Sequence, residues 1–280
     1  MPHYVWYGLL ALFSISLFTY TLIKVKKRKV LVLYTFLAGI TYLLEYVILV
    51  FFNSYVYYPE ILKNQYLDSI LGSISSNAIA VPMTGTYIGA FRLGWKWVLI
   101  CTGIIIAIEE WFLHIDIYSH NWWKTYLTAI GLIIFFNIAK RWYSLLLNNN
   151  FAWTRYISLY FTCVLIQASL VFFIYTFWGP YHYEVEWFSH NTRDHIAFAT
   201  AYIFVLSFVL TYLAYHQMKW IWRIVTILLT IPINGILLKI GILHMSKDWS
   251  LWHFFFLRVL ILAILVGFNN YVFGNSKRNY

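Results

Sequence analysis

Residues 103–123 read GIIIAIEEWFLHIDIYSHNWW. The stretch opens as an unbroken apolar run, then sets two carboxylates, Glu109 and Glu110, side by side. His114, Asp116, Tyr118 and His120 follow, and the paired tryptophans Trp122 and Trp123 close it. At helical spacing Glu110 and His114 share one stripe, while Glu109 and Asp116 lie along its neighbour. Ionisable groups at membrane depth are costly, so they face a bundle interior or a watery cavity and mark candidate functional positions. Adjacent side chains on a helix point about 100° apart, so the two glutamates are expected to differ in role. Glu110, one turn below His114, is the expected cavity residue, and Glu109 the expected salt-bridge partner of Arg258 or Lys239.

Outward from this stretch the rest of the chain is just as apolar. Of its 280 residues 62% are hydrophobic, 22% aromatic and 11% charged. Several runs of twenty or more residues are almost free of charge, which predicts an all-α polytopic membrane protein. Nine spans are expected, over 4–23, 30–53, 69–91, 95–115, 122–146, 156–178, 194–216, 219–243 and 250–273. The first has its basic cluster behind it rather than before it, so it reads as a retained helix and not as a cleaved signal. Cys101 and Cys163 both fall inside expected spans, which indicates neither a disulfide nor a thiolate metal site.

The net charge of +10 resides in short loops, and no nucleic-acid partner is implied. Fourteen of the 20 basic residues fall on alternate loops. They are Lys24, Lys26, Lys27, Arg28, Lys29, Arg92, Lys96, Lys140, Arg141, Arg155, Lys219, Arg223, Lys277 and Arg278. None of the ten acidic residues shares those loops. Basic loops stay in the cytoplasm, which predicts a cell-membrane protein with its N-terminus outside and its C-terminus inside.

An internal repeat is expected as well. A shift of 126 residues carries Lys29, Leu33 and Tyr34 to Arg155, Leu159 and Tyr160. It also carries Tyr55, Tyr57, Glu60 and Asp68 to Tyr181, Tyr183, Glu186 and Asp194. With one residue inserted, Trp95, Lys96 and Trp122 map to Trp222, Arg223 and Trp249. The organisation this predicts is an N-terminal helix and basic loop over 1–28, then four-helix repeats over 29–147 and 155–273. Each repeat holds an even number of spans, so the duplication is expected to be parallel, about an axis along the membrane normal. On that alignment Glu45, Glu109 and Glu110 face apolar counterparts in the second half, and Lys239 and Arg258 face apolar counterparts in the first. All five lie in the outer leaflet, where opposite charges would leave fewer groups unpaired.

The third span is the most polar, with Ser69, Ser73, Ser76 or Asn77, Ala80 and Thr84 at helical spacing beside Pro82, Gly85 and Gly89. A small-residue face permits close helix approach; a polar wall of a solute path is the functional reading. Glu45 stands in an apolar span and is read structurally as a carboxyl hydrogen-bonded to tyrosine. Eight of the nine histidines fall on the outer side: His3, His114, His120, His182, His190, His195, His244 and His253. With Asp68, Asp116, Glu184, Glu186, Asp194 and Asp248 they hold the ingredients of a metal site or a pH-responsive surface. The spacing contains no HExxH, no histidine pair at i,i+4 and no CxxC, so no metal centre and no cofactor is expected. Nucleophile elbows, phosphate loops and nucleotide fingerprints are missing too, which leaves hydrolase and kinase readings unsupported.

Residues 110–124, EWFLHIDIYSHNWWK, resemble a family of small, tryptophan-rich membrane proteins of spore-forming bacteria. In that pattern a glutamate within a span is followed by an aromatic, a small polar stretch and NGW with further tryptophans. Glu110, Tyr118, Asn121, Trp122 and Trp123 match; the glycine between asparagine and tryptophan is missing. Residues 247–252, KDWSLW, repeat a fainter version without the glutamate. The resemblance implies a fused double copy of a one-repeat protein and brings no activity or substrate with it.

Function is therefore expected from the outer-leaflet charges. The leading expectation is a small-solute or ion/proton transporter, or a solute-binding membrane protein, with an outward-facing polar cavity between the repeats. Its binding residues would come from Glu45, Glu109, Glu110, His114, Asp116, Lys239 and Arg258. Carboxylates with an arginine away from water could take a small cation or zwitterion, or exchange a proton for it. An embedded enzyme using Glu110, His114, Asp116 and His120 on a metal or as acid and base is the second expectation. A structural or partner-binding membrane protein is the third. The lipid bilayer is a partner in all three.

Overall fold

A computed structural model describes residues 1–148, 152–216 and 218–274. The basic pair Lys277 and Arg278 lies outside the described residues. Helix α1 spans His3–Val25, and α2 spans Lys29–Glu45 before widening into a π-helical turn, Tyr46–Phe51. Strand β1, Tyr55–Tyr57, leads through a loop to α3, Gln65–Ser73. A second π-helical turn, Ile74–Ala80, joins α3 to α4, Val81–Ala90. Next come α5 (Trp95–His114), β2 (Tyr118–His120), α6 (Thr125–Leu147) and α7 (Ala152–Trp178). The chain closes with β3 (Tyr181–Tyr183), α8 (Asn191–Tyr215), α9 (Trp220–Leu228), α10 (Thr230–Lys239), β4 (Leu243–Met245) and α11 (Leu251–Phe273).

Among the described residues eight helices are long and apolar enough to cross a membrane. They are α1, α2 with its π turn (Lys29–Phe51), α5, α6, α7, α8, α9 with α10 (Trp220–Lys239), and α11. The expected third span is helical too, but it is broken into α3, the π turn and α4, and its serines, asparagine and glycines keep it out of that set. Large apolar side chains point outward from these helices, among them Leu12 at 62% and Phe13 at 67% exposure. Such a surface is an aggregation hazard in water and ordinary in lipid. The protein is a multi-pass membrane protein.

The chain forms two compact units, Met1–Ser158 and a second beginning at Leu159, so the division falls inside α7. In the first unit β1 and β2 pair antiparallel, Tyr55 opposite His120 and Tyr57 opposite Tyr118. The ribbon buries Tyr55, Tyr57 and Tyr118 against Tyr7, Leu49, Phe112 and Ile117. Asp68, on the first turn of α3, accepts the backbone N–H groups of Glu60, Ile61 and Leu62 at 2.8–2.9 Å and closes the loop after β1. Asn64 caps α3 by accepting from the Tyr66 and Leu67 amides. The lower half of the polar helix packs by its glycines: a Cβ on Gly89 would lie 2.9 Å from the Ala139 carbonyl oxygen of α6. Its small-residue face and its polar face are thus both used, at different heights.

In the second unit β3 and β4 pair antiparallel, Tyr181 opposite Met245 and Tyr183 opposite Leu243. Tyr181, Tyr183 and Leu243 are buried with Ala199 and Phe254. Asp194 accepts from the amides of Val185, Glu186, Trp187 and Phe188 at 2.7–3.1 Å. Tyr183 N donates to His195 Nδ1 at 3.0 Å, as Tyr57 N donates to Ser69 Oγ at 3.1 Å in the first unit. The left-handed residues recur as well, Glu60 at φ 57° and Glu186 at φ 59°.

These landmarks correct the expected alignment of the later segments. The strand registers set residues 118–120 against 243–245, and α5 and α9–α10 both run twenty residues, from Trp95 and from Trp220. The offset there is 125, one residue fewer rather than one more. At an offset of 125 Trp95 stands against Trp220, and Glu109 against Asn234. Lys239 corresponds to His114, each the last residue of its helix.

Candidate functional site

The first unit holds a cavity of about 250 Å³. Two carboxylates line it, Glu45 at the end of α2 and Glu109 on α5, with Tyr55, Tyr57, Tyr118 and Trp123 of the ribbon region. Its size falls just under the roughly 300–1,000 Å³ of pockets for drug-sized ligands and suits a smaller solute.

Glu45 sits where α2 turns π-helical; two of its partners sit at the matching transition on the polar helix, and the third, Tyr55, on β1. Its carboxylate accepts from Tyr55 Oη at 2.5 Å, Ser73 Oγ at 2.6 Å and Asn77 Nδ2 at 2.8 Å. Ser73 ends α3 and Asn77 lies within the π turn, which also supplies Ser76 and Ala80 to the cavity wall. A π turn adds a residue to the helical repeat and re-aims the side chains that follow, as at many functional sites. Asn77 donates to Tyr57 Oη as well, at 3.1 Å, linking the carboxylate to the aromatic wall.

Glu109 accepts from His120 Nε2 at 2.9 Å and Thr128 Oγ1 at 3.1 Å, and its side chain is only 9% exposed. Trp123 Nε1 in turn donates to Thr128 at 2.8 Å. Burial holds the His120 imidazole below its ordinary value, with nearby Glu110 opposing that shift and Lys124 adding to it. The ring is therefore neutral at pH 7, and we assign its proton to Nε2, facing the carboxylate. Burial also pushes the Tyr55, Tyr57 and Tyr118 phenols far above their ordinary value, so they stay protonated donors.

The other expected site residues lie elsewhere. Glu110 is exposed and accepts from Thr125 Oγ1 at 2.6 Å; it does not line the cavity, whereas its neighbour Glu109 does. One residue of rotation on the helix decides this. His114 and Asp116 are exposed at the end of α5, Asp116 in a left-handed turn at φ 56°, and Lys239 is exposed at the end of α10. Glu110, His114, Asp116 and His120 do not gather into a group of ligands among the described residues. Asn121 and Trp122 brace the loop after α2, donating to the Asn53 and Phe52 carbonyls at 2.7 and 2.9 Å.

Arg258 belongs to a different cavity, in the second unit, of about 30 Å³, room for roughly one water. Its guanidinium donates to Thr230 Oγ1, to Tyr202 Oη at 3.1 Å and to Asn234 Oδ1 at 3.3 Å, and lies over the Tyr202 and Phe254 rings. The residues lining the two cavities correspond. Glu45, Tyr55, Tyr57, Asn77, Thr128 and Leu132 line the first, and Val171, Tyr181, Tyr183, Ile203, Phe254 and Arg258 line the second. Each of the latter stands 126 residues beyond its counterpart. At those offsets Glu45 stands against Val171 and Arg258 against Leu132, so the charged residue of each lining has an apolar counterpart in the other.

No family model, curated protein or solved structure matches the chain. The site is read from its own chemistry. Sequence reasoning had Glu45 in hand but missed Ser73, Asn77 and His120 as partners of the carboxylates. The signal available was the spacing Ser73 to Asn77, one helical turn on the polar helix, level with Glu45 in the neighbouring span.

Proposed function

We propose that this multi-pass protein binds a small cationic or zwitterionic solute at Glu45 and Glu109 and exchanges it, or a proton, across the membrane. One observation carries this reading: among the described residues, the cavity is lined by two carboxylates and by no lysine, arginine or histidine. A carboxylate away from water is costly without a positive partner. A bound cation or proton supplies that partner, and a wall of tyrosines and a tryptophan offers ring faces to an ammonium group. Nine spans in a duplicated four-span plan, behind one extra N-terminal helix, belong to the same proposal. The pairing of β1 with β2 supports the ninth. With the loops after α2 and α5 at one end, a polar helix Gln65–Ala90 that runs to the other end before α5 returns accounts for the path of the chain. The recurrence of the strand pairs, aspartate clamps and cavity walls supports the duplication.

The test uses the full chain in proteoliposomes, with a pH-sensitive dye inside and small primary amines, quaternary ammonium ions and amino acids offered outside. Solute-dependent proton flux is expected in the wild type and in Glu110→Gln, and it should fall at least tenfold in Glu109→Gln and Glu45→Gln. Equal flux in all four proteins, or none in any with every solute class, overturns the reading.

A further inference from the structure

The ribbon of the second unit carries a cluster that the cavity does not use. His182 on β3 and His244 on β4 are directly opposed in the strand register. Cross-strand neighbours bring their Cβ atoms to about 4.5–5.5 Å, and the two imidazoles stack at 4.7 Å with 13° between their planes. Glu184, two residues past His182, points to the same side of the strand. Its Oε2 lies 3.4 Å from His244 Nε2 and 4.0 Å from His182 Nε2, and one donor atom from each of the three lies within 4.8 Å of the others. The opposite face of the ribbon is the buried one, through Tyr181, Tyr183 and Leu243, so the three donors stand toward solvent.

We propose that His182, Glu184 and His244 form a three-ligand site for a divalent transition ion of the zinc type. Two neutral imidazoles and one carboxylate are a favoured donor set for such ions, and they leave coordination positions open for water or a solute. Ligand atoms about 2.1 Å from a tetrahedral ion stand roughly 3.3–3.5 Å apart. The Glu184–His244 separation already meets that; the two ring nitrogens, within 4.8 Å of each other, need to approach by no more than about 1.4 Å while the stacked planes tilt so that both lone pairs meet on the ion. The backbone beneath is held: Glu184 N donates to Ile242 O at 2.9 Å, and the residues that follow are clamped by Asp194. In the first ribbon the corresponding positions are Val56, Tyr58 and Ser119, and there a Tyr58–Ser119 hydroxyl hydrogen bond of 3.0 Å stands in place of the ligands. The site is a property of the second unit alone and is independent of the carboxylate cavity.

The experiment takes full-length protein without a polyhistidine tag, stripped of metal in detergent, and titrates it with Co²⁺ by visible absorption and with Zn²⁺ by competition. One ion per chain is expected, bound at micromolar Kd or tighter. His182→Ala, His244→Ala and Glu184→Gln should each weaken binding at least tenfold, while Glu109→Gln leaves it unchanged. His182→Phe keeps the ring stack but removes the donor nitrogen, and it should lose binding with an unaltered melting temperature. Binding weaker than about 100 µM in the wild type, or undiminished in the His182→Ala/His244→Ala double variant, overturns the proposal.

Discussion

Glu45 and Asp194 are both carboxylates with three or more donors around them, yet they do different work. Asp194 is 2% exposed and holds four backbone amides, so its charge is spent on a loop. Asp194→Asn leaves one acceptor oxygen where two served. With charged hydrogen bonds contributing about 1.5–3 kcal/mol each and two amides on each oxygen, it should destabilise by roughly 3–6 kcal/mol. Thermal unfolding in detergent measures the loss, and hydrogen exchange should quicken at residues 185–188 and not at 60–62. Asp68→Asn should do the converse. Glu45 holds only side-chain donors beside a cavity, so Glu45→Gln keeps an acceptor and should cost less stability than Glu45→Ala, which orphans Tyr55, Ser73 and Asn77 at about 1–3 kcal/mol.

His120 gives a pH prediction. Burial lowers its value in the fold, so the folded chain resists the proton that the unfolded chain accepts below about pH 6.5. Its contribution is present above that value and is lost as pH falls through the lower, folded one. The melting temperature should drop more between pH 7 and pH 5 in the wild type than in His120→Gln; equal drops would count against it.

At the scale of elements, the polar helix Gln65–Ala90 decides both packing and site. Gly89 meets the Ala139 carbonyl and Leu33, and a Cβ there would sit 2.9 Å from that oxygen. Gly89→Ala should therefore part α4 from α6 and destabilise by about 1–3 kcal/mol, as overpacking does. Gly103, with nothing near its Cβ position, is the control, and Gly103→Ala should be neutral or mildly stabilising. Unfolding midpoints of the two variants in one detergent decide it.

Across the whole molecule, the basic loops make a testable expectation about orientation. His3 Nδ1 bonds the Tyr58 carbonyl, so the start of α1 lies at the ribbon end of its unit, and Lys24, Lys26 and Lys27 lie at the far end of the helix. On the expectation that the basic loops lie inside, a cysteine at Asn191, exposed at the start of α8, should react with an impermeant thiol reagent in intact cells. A cysteine at Lys27 should react only after permeabilisation. The reverse pattern would invert the assignment.

The apolar runs and basic loops of the sequence were enough to determine a multi-pass helical protein, because lipid permits few ways to satisfy a backbone and the spans read out one by one. The recurrence of Tyr55, Tyr57 and Asp68 at Tyr181, Tyr183 and Asp194 was legible too, since a fixed offset survives without coordinates. Which glutamate faces the cavity was not legible: Glu109 and Glu110 differ by one step of helical rotation, and only packing against α6 and the ribbon fixes that phase. Nor was the pairing of His182 with His244, 62 residues apart in the chain. Their meeting depends on strand register, which is set by the buried tyrosines on the other face of the ribbon and leaves no periodic trace around either histidine.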